Sequence, residues 1–331
     1  MGVSPLGKDS VWEINLAARV AWMSFLGDLT QSEIGKRLGL SPARVHRLIL
    51  LAREKGLVRI SIEGRPAECL DMEAELATRF GLRSCTVSPY LRETTTNEDI
   101  AIASVGQTAG QLLGQHLLMH STRSIAVGTG RTMLAAVTAM PKVPRPDLAI
   151  YALNGSLADR LAINLYDVVT KFAERTGGKA YLLPIPYFAR SADEEALYLE
   201  QPSVAAVRDA AARADIFISG VGALGADDGV LVTELLSNSE AERLAARGAV
   251  AEFAGRFLDE SGGDVAQEVV FPLSVRTEPG SRSGPGPSPR FFALAAGKRK
   301  LSATLAVLRS GAASDLVVDE TLAEVLSAAA R

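Results

Sequence analysis

Residues 29–64 read LTQSEIGKRLGLSPARVHRLILLAREKGLVRISIEG, and local chemistry divides this stretch at definite points. Thr30-Gln31-Ser32-Glu33 has capping-box spacing, in which hydroxyl and carboxylate each bond the other residue's backbone N–H. A helix is therefore expected from there to about Leu38. Gly39 and Leu40 form a tight turn. Ser41 is a good N-cap, and Pro42 occupies the first helical position, where its missing N–H costs nothing. The next helix runs to about Lys55, and Gly56 stops it. Gly35 is small where the two helices cross, and Ile34, Val45 and Leu48 fill their interface. The pattern is a helix-turn-helix. Leu57–Gly64 alternates as a short hairpin strand would, which predicts a wing.

Upstream, VWEINLAARVAWMSFL (Val11–Leu26) repeats its apolar residues at helical spacing and supplies a first helix. Residues 1–66 carry ten Lys/Arg against six Asp/Glu, whereas the remainder carries 25 against 32. The net charge of −3 therefore conceals a basic head on an acidic body. Phosphate attraction has to be local to the reading face, so this distribution suits a modular binder of double-stranded DNA. The early turns of the third helix expose Ser41, Ala43, Arg44, His46 and Arg47, the part that meets base edges in the major groove. Arginine reads guanine with two hydrogen bonds, which singles out Arg44 and Arg47. Lys36 and Arg37 suit phosphate.

The 331 residues allow two domains: a DNA-binding domain over 1–64 and an effector domain over 83–331, joined by a helix at 65–82. Cys69 and Cys85 do not make a disulfide framework. No apolar run is long enough to cross a bilayer, and nothing has the form of a secretion signal. The expectation is a cytoplasmic protein without a membrane partner.

From Ser84 onward, short apolar strands alternate with helices. Strands are expected at Cys85–Ser88, Ser124–Gly128, Leu148–Asn154, Ala180–Ile185, Asp215–Gly220, Phe291–Ala295 and Leu316–Asp319. Helices are expected at Glu98–Met119, Thr132–Met140, Leu161–Thr176, Val204–Ala214, Ala241–Arg247, Arg299–Arg309 and Glu320–Ala330. Such alternation implies an α/β fold with a mostly parallel, Rossmann-like sheet. Ligands of these sheets lie beyond the carboxyl ends of the strands. There the sequence places Gly128-Thr129-Gly130-Arg131-Thr132, a glycine turn opening a helix whose N–H groups face an anion or a hydroxyl. It also places Asn154-Gly155-Ser156 there, with Asn164 on the following helix. Arg131 opposes the dipole of the helix it begins, a conflict that a bound anion would remove.

Other patterns carry less. Gly220-Val-Gly222-Ala-Leu-Gly225 matches G-x-G-x-x-G, but it comes late in the sheet and lacks the acidic strand end of a dinucleotide site. His116 and His120 have metal-pair spacing but no third ligand. No nucleophile–base set can be assembled. The reading includes no catalytic residue, no metal and no cofactor. SRSGPGPSP (Ser281–Pro289) reads as a surface loop.

Together the two halves resemble the SorC family of sugar-responsive transcription regulators over nearly the whole chain. Within the family the chain is most similar to members controlling sugar-alcohol catabolism. The reader LTQSEIGKRLGLSPARVHRLILLAREKGLVRISIEG is similar to the family's throughout. IAVGTGRTM (Ile125–Met133) resembles its IGVGWGRTL, and AVAEFAGRFLDESG (Ala249–Gly262) its GAVGDI-type segment. LAAGKRKLSATLAVLRSGAASDLVVDETLAEVL (Leu294–Leu326) resembles its closing segment. The resemblance implies an effector domain related to sugar-phosphate isomerases and deaminases, used for sensing. It adds Glu252 and Lys300 to the effector contacts. Thr129 stands where the family often has Trp, Glu252 replaces a common Asp, and Ala296 replaces a glycine.

The resulting expectation is a homo-oligomeric regulator, dimer or tetramer, of a carbohydrate or polyol operon. Its partners would be operator DNA and a sugar, polyol or sugar-phosphate effector. Arg131 and Lys300 beside one glycine turn favour the phosphate. An isomerase- or deaminase-like enzyme with a DNA-binding head is the alternative.

Overall fold

The computed structural model describes residues 8–58, 64–89, 98–119, 121–156, 167–224, 236–266, 268–276 and 288–329. The chain forms two compact units, Met1–Gly64 and Arg65–Arg331.

The first unit packs three helices, α1 (Lys8–Phe25), α2 (Gln31–Leu38) and α3 (Pro42–Glu54), around its own core. Ala17, Val20 and Ala21 of α1 meet Ile34 of α2 and Val45, Leu48, Ile49 and Ala52 of α3. The capping box at Thr30 is formed in both directions. Gly39 takes a left-handed φ of 67°, and Leu40 N–H returns to Gly35 O at 2.9 Å. A β-carbon on Gly35 would come within 2.5 Å of Leu40 O, so only glycine permits the turn to close. The expected wing falls mostly on residues 59–63, outside the described residues.

The second unit begins with α4 (Ala67–Phe80) and β1 (Ser84–Ser88), followed by α5 (Glu98–Leu118), β2 (Ser124–Val127) and α6 (Arg131–Ala139). Next come β3 (Ala149–Ala152), α7 (Val168–Thr176), β4 (Lys179–Tyr181), β5 (Phe188–Ala189), α8 (Ala192–Leu199) and α9 (Pro202–Ala211). The chain continues through β6 (Ile216–Gly220), β7 (Gly222–Ala223), α10 (Asn238–Ala246), β8 (Ala249–Phe253) and β9 (Arg256–Asp259). It closes with β10 (Phe271–Pro272), β11 (Arg290–Ala295), a 3-10 turn at Lys298–Lys300, α11 (Leu301–Arg309), β12 (Asp315–Asp319) and α12 (Glu320–Ala329).

Seven strands form one parallel sheet in the order β1-β12-β11-β6-β2-β3-β4. Such a sheet is buried on both faces, which explains the nearly continuous apolar strands Ile125–Val127, Ile216–Ile218 and Leu316–Val318. From β2 the chain winds outward through β3 to β4. It then returns to β6 and winds the other way through β11 and β12. The reversal lies between β2 and β6, so their carboxyl ends open the crevice where doubly wound sheets hold ligands.

Helix α4 is a packed part of this unit. Cys69 and Leu76 lie in the core with Cys85, Leu322 and Leu326, and Glu73 accepts the Val87 N–H at 2.9 Å. Burial raises the two thiols to about 11 for Cys69 and about 12 for Cys85, so both stay protonated at neutral pH. α10 starts three residues before the expected Ala241, at a second capping box formed by Ser237 and Glu240. Lys300 precedes α11 in a 3-10 turn, so the expected helix from Arg299 begins later, at Leu301.

Helix α6, which carries the glycine turn at its start, is seated by three glycines of α5. β-Carbons on Gly106, Gly110 and Gly114 would come within 2.5–2.6 Å of Ala135 Cβ, Ala136 O and Pro141 Cγ respectively. Gly110 faces rigid backbone, so a larger side chain there forces the helices apart. Gly110→Leu gains about 1 kcal/mol of helix propensity but incurs an overpacking cost of about 1–3 kcal/mol or more. A net loss of unfolding free energy in urea is expected, against almost none for the exposed Gln107→Ala on the same helix.

Candidate functional site

Two sites are assembled from the sequence-expected residues, one in each unit. In the reader, Ser41 caps α3 by accepting the Arg44 N–H at 3.3 Å. Ala43, His46 and Arg47 are exposed on α3, and Lys36 and Arg37 on the last turn of α2. Arg44 differs from its expected place. Its guanidinium donates to Glu13 Oε1 at 2.6 Å and is half-buried where α1 meets α3. The sequence showed Arg44 on the correct turn of the helix, but the carboxylate that holds it lies 31 residues earlier. Arg47 is thus the arginine offered outward from the early turns of α3.

In the body, the β2–β6 reversal brings two chain segments into direct contact. Gly128 N–H donates to Ile218 O at 2.8 Å, and a β-carbon on Gly128 would lie 2.2 Å from Ser219 Oγ. Gly130 then takes φ 117° as the N-cap of α6, without a side-chain cap, and open space surrounds the position of its missing β-carbon. Thr132 is buried in the first turn of α6 and Thr129 is half-buried before it. Beyond β3, a β-carbon on Gly155 would strike Pro186 O at 2.1 Å. Ser156 N–H donates to Ile185 O at 2.7 Å, and Tyr187 N–H donates to Ser156 O at 3.0 Å.

This backbone ladder carries Tyr187 beneath Asn154. Asn154 Nδ2 donates to Tyr187 Oη at 3.2 Å and to Ser274 Oγ at 2.9 Å. Tyr187 Oη donates in turn to Glu252 Oε1 at 2.8 Å, and Gly255 N–H donates to the same oxygen at 2.7 Å. Asn154, Tyr187, Glu252 and Ser274 are all buried. Burial pushes the Glu252 carboxyl above its ordinary range, opposed by these hydrogen bonds and by the Lys300 ammonium. Lys300 Nζ donates to Val221 O at 2.7 Å, just past β6. Its turn is tied down where Gly297 N–H donates to Asp319 Oδ2 at 2.6 Å. Glu252 and Lys300, which only the family resemblance supplied, therefore join Gly128–Thr132 and Asn154–Ser156 at one edge of the sheet. Asn164 lies outside the described residues.

Arg131 has partners of its own. It donates to Glu98 Oε1 at 2.7 Å and lies 3.6 Å from Asp99 Oδ1, both on the first turn of α5. Those carboxylates answer the conflict with the helix dipole, so no bound anion is needed to resolve it. Within the G-x-G-x-x-G stretch, Gly222 and Ala223 form β7 and pair with β8, and Gly225 lies outside the described residues. His116 Nε2 accepts from Arg290 at 3.0 Å against the edge of Phe292, at the opposite end of the strands, and is held neutral by burial and that guanidinium. His120 lies outside the described residues.

A family profile described as "Putative sugar-binding domain" matches residues 64–327. The chain is 36% identical over 312 residues to the erythritol catabolism regulatory protein EryD of Brucella abortus, spanning 94% of this chain and 96% of that protein. The chain belongs to the SorC family. It is a transcriptional regulator and not an enzyme, like its relatives. The transcriptional regulator LsrR of an Enterobacter species is 28% identical, spanning 96% of this chain and 94% of that one. Among solved structures, the full-length sorbitol operon regulator SorC of Klebsiella pneumoniae superposes with a TM-score of 0.68. It is 22% identical and covers 95% of this chain and 99% of that one, a likeness of fold.

In this SorC-family body, sequence reading missed Tyr187, Ser274 and Gly255. Only the proximity of a tyrosine to the end of an apolar strand signalled the first. Tyr187→Phe should remove one donor from a buried carboxylate, costing about 1–3 kcal/mol. The raised folded-state pKa of Glu252 means that the folded chain binds the proton more tightly than the unfolded one. Stability from this group is therefore present at low pH and lost as pH rises past the unfolded value toward the folded one. Tyr187→Phe raises the folded value further, so the variant's loss in urea unfolding should be larger at pH 7 than at pH 4.

Proposed function

We propose that the chain regulates a carbohydrate or polyol catabolic operon, reading operator DNA through α2 and α3 as a homo-oligomer. Its effector is a hydroxyl-rich small molecule held at the carboxyl edge of the sheet. The observation that carries this reading is the buried Asn154–Tyr187–Glu252 chain beside the glycine turn at the β2–β6 reversal. Both Asn154 Nδ2 hydrogens are spent on Tyr187 and Ser274. Tyr187 and Gly255 both donate to one oxygen of Glu252, Oε1. Among the described residues, Asn154 Oδ1 and Glu252 Oε2 are left as acceptors, which match ligand hydroxyls as donors. Arg131 is paired with Glu98, and the Lys300 ammonium donates to Val221 O and lies near enough to Glu252 to oppose the effect of burial on its carboxyl. An uncharged polyol or sugar suits this balance better than its phosphate ester. The EryD relative, named for erythritol catabolism, fits the same class.

Effector binding acts on DNA affinity only through its different affinity for gripping and releasing states. A matched polyol and polyol phosphate, titrated by calorimetry, test the ligand class. The polyol is expected to bind at least as tightly, and Glu252→Gln to weaken it about tenfold, or 1.4 kcal/mol. A phosphate bound tenfold more tightly, with that advantage lost in Arg131→Ala, would show instead that an anion site is present.

On DNA, Arg47→Ala should cost about 1–3 kcal/mol and relax preference at one base position. Lys36→Ala should weaken all duplexes alike and reduce the salt slope by about one charge. Arg44→Ala, by releasing Glu13, should lower the melting point of the reader and weaken all duplexes together. Fluorescence anisotropy across several salt concentrations separates the three.

A further inference from the structure

We infer that the outer face of α1 is where two copies of the reader pair, helix against helix. The inference rests on the DNA-binding reading above and adds the surface through which two readers become one unit.

The inner face of α1 is spent on its own core through Ala17, Val20 and Ala21. The opposite face carries Trp12, Asn15, Arg19 and Trp22, and Leu26, in the turn just past the helix, continues the series, at successive steps of three, four, three and four residues. That is the alternation of a heptad seam, the spacing that keeps one helix in register along another. Trp12 is 62% exposed, Trp22 69% and Leu26 68%. These are the only two tryptophans in the chain, and both stand on this face. Tryptophan and arginine are the side chains that most often dominate an interface, and a lone solvated domain gains nothing by displaying them in a row. Asn15 and Arg19 in mid-seam are the polar positions that fix register in a helix pair.

Three physical points identify the occupant as the same face of a second copy. A single helix-turn-helix contacts too few bases for useful specificity, so a second reader has to be close by. The geometry also fits. α3 packs on the inner face of α1, so pairing two α1 helices sets the recognition helices three interaxial spacings apart. At about 8–10 Å each, they stand roughly 25–30 Å apart, near the ~34 Å between successive major grooves on one face of DNA. The third point is area. Two tryptophans and a leucine offer on the order of 400 Å² per copy, about half of what a stable interface buries on each side. The pair is therefore weak by itself and completed by the operator, as a reader that has to let go of DNA requires.

The test uses the full chain and a duplex selected from a random pool by the wild-type protein, beside the same duplex cut to one half-site. Wild-type tryptophan emission is expected to shift to the blue on the two-site duplex and not on the half-site. Trp22→Glu alters an exposed side chain, so its melting point should match wild type. It should bind the two-site duplex at least tenfold more weakly and the half-site equally well. Equal losses on both duplexes would show that the face touches DNA and overturn the inference. So would unchanged two-site binding, or emission already blue in the free chain and unaltered by DNA. If the wild-type chain enriches no duplex at all, the DNA-binding reading falls, and the pairing falls with it.

Discussion

The close approach of Gly128 to Ser219 is the constraint on which the α/β unit depends. Winding reverses between β2 and β6, so these two neighbouring strands send their following segments to opposite faces of the sheet. A side chain at residue 128 would occupy the position of Ser219 Oγ. With glycine there, the chain passes the end of β6 and turns into α6. The N–H groups of the α6 first turn then face the same opening as the segment after β6. Helix α5 enforces the arrangement from one face, because its glycine row lets α6 lie directly on its backbone. From the other side, the β8–β9 hairpin delivers Glu252 and the turn before α11 delivers Lys300.

Electrostatics in this opening follow from pairing more than from isolated charges. A buried carboxylate survives only with partners, and Glu252 has two hydrogen-bond donors and a nearby ammonium. Arg131, read alone, looks like an anion hook. Beside Glu98 and Asp99 it is one member of a cluster that joins the first turns of two helices. Both α5 and α6 gain, because acidic side chains suit a helix start and the cation is neutralised where the dipole would reject it. A ligand held there, as proposed, would meet hydrogen-bonding groups whose net charge is small.

What could be read from the sequence was local. The helix-turn-helix was legible because each boundary has its own residue: Thr30 with Glu33, Gly39, Ser41 and Pro42. The parallel strands were legible as short apolar runs, and the carboxyl-edge residues followed from them. Contacts between distant segments were not legible. Glu13 and Arg44 are 31 residues apart, Glu98 and Arg131 33, and Tyr187 and Glu252 65. No spacing rule connects such pairs. Glu252 itself entered by family likeness alone.

The β8–β9 hairpin shows why a strong local element can still escape notice. Phe253 pairs with Arg256 across a two-residue loop in which Ala254 and Gly255 have φ of 50° and 81°. Such loops are usually announced by Asn-Gly or Asp-Gly, since both central residues need positive φ. Here alanine takes the first position, at some strain, and the signal disappears from the sequence. The requirement behind it lies at the second position. Gly255 has to donate its N–H to Glu252, and a β-carbon there would lie 2.1 Å from Ser274 Oγ. Ser274 in turn accepts from Asn154. The turn is therefore shaped by the polar chain it supports, and its sequence reflects that buried chain more than the ordinary chemistry of hairpins.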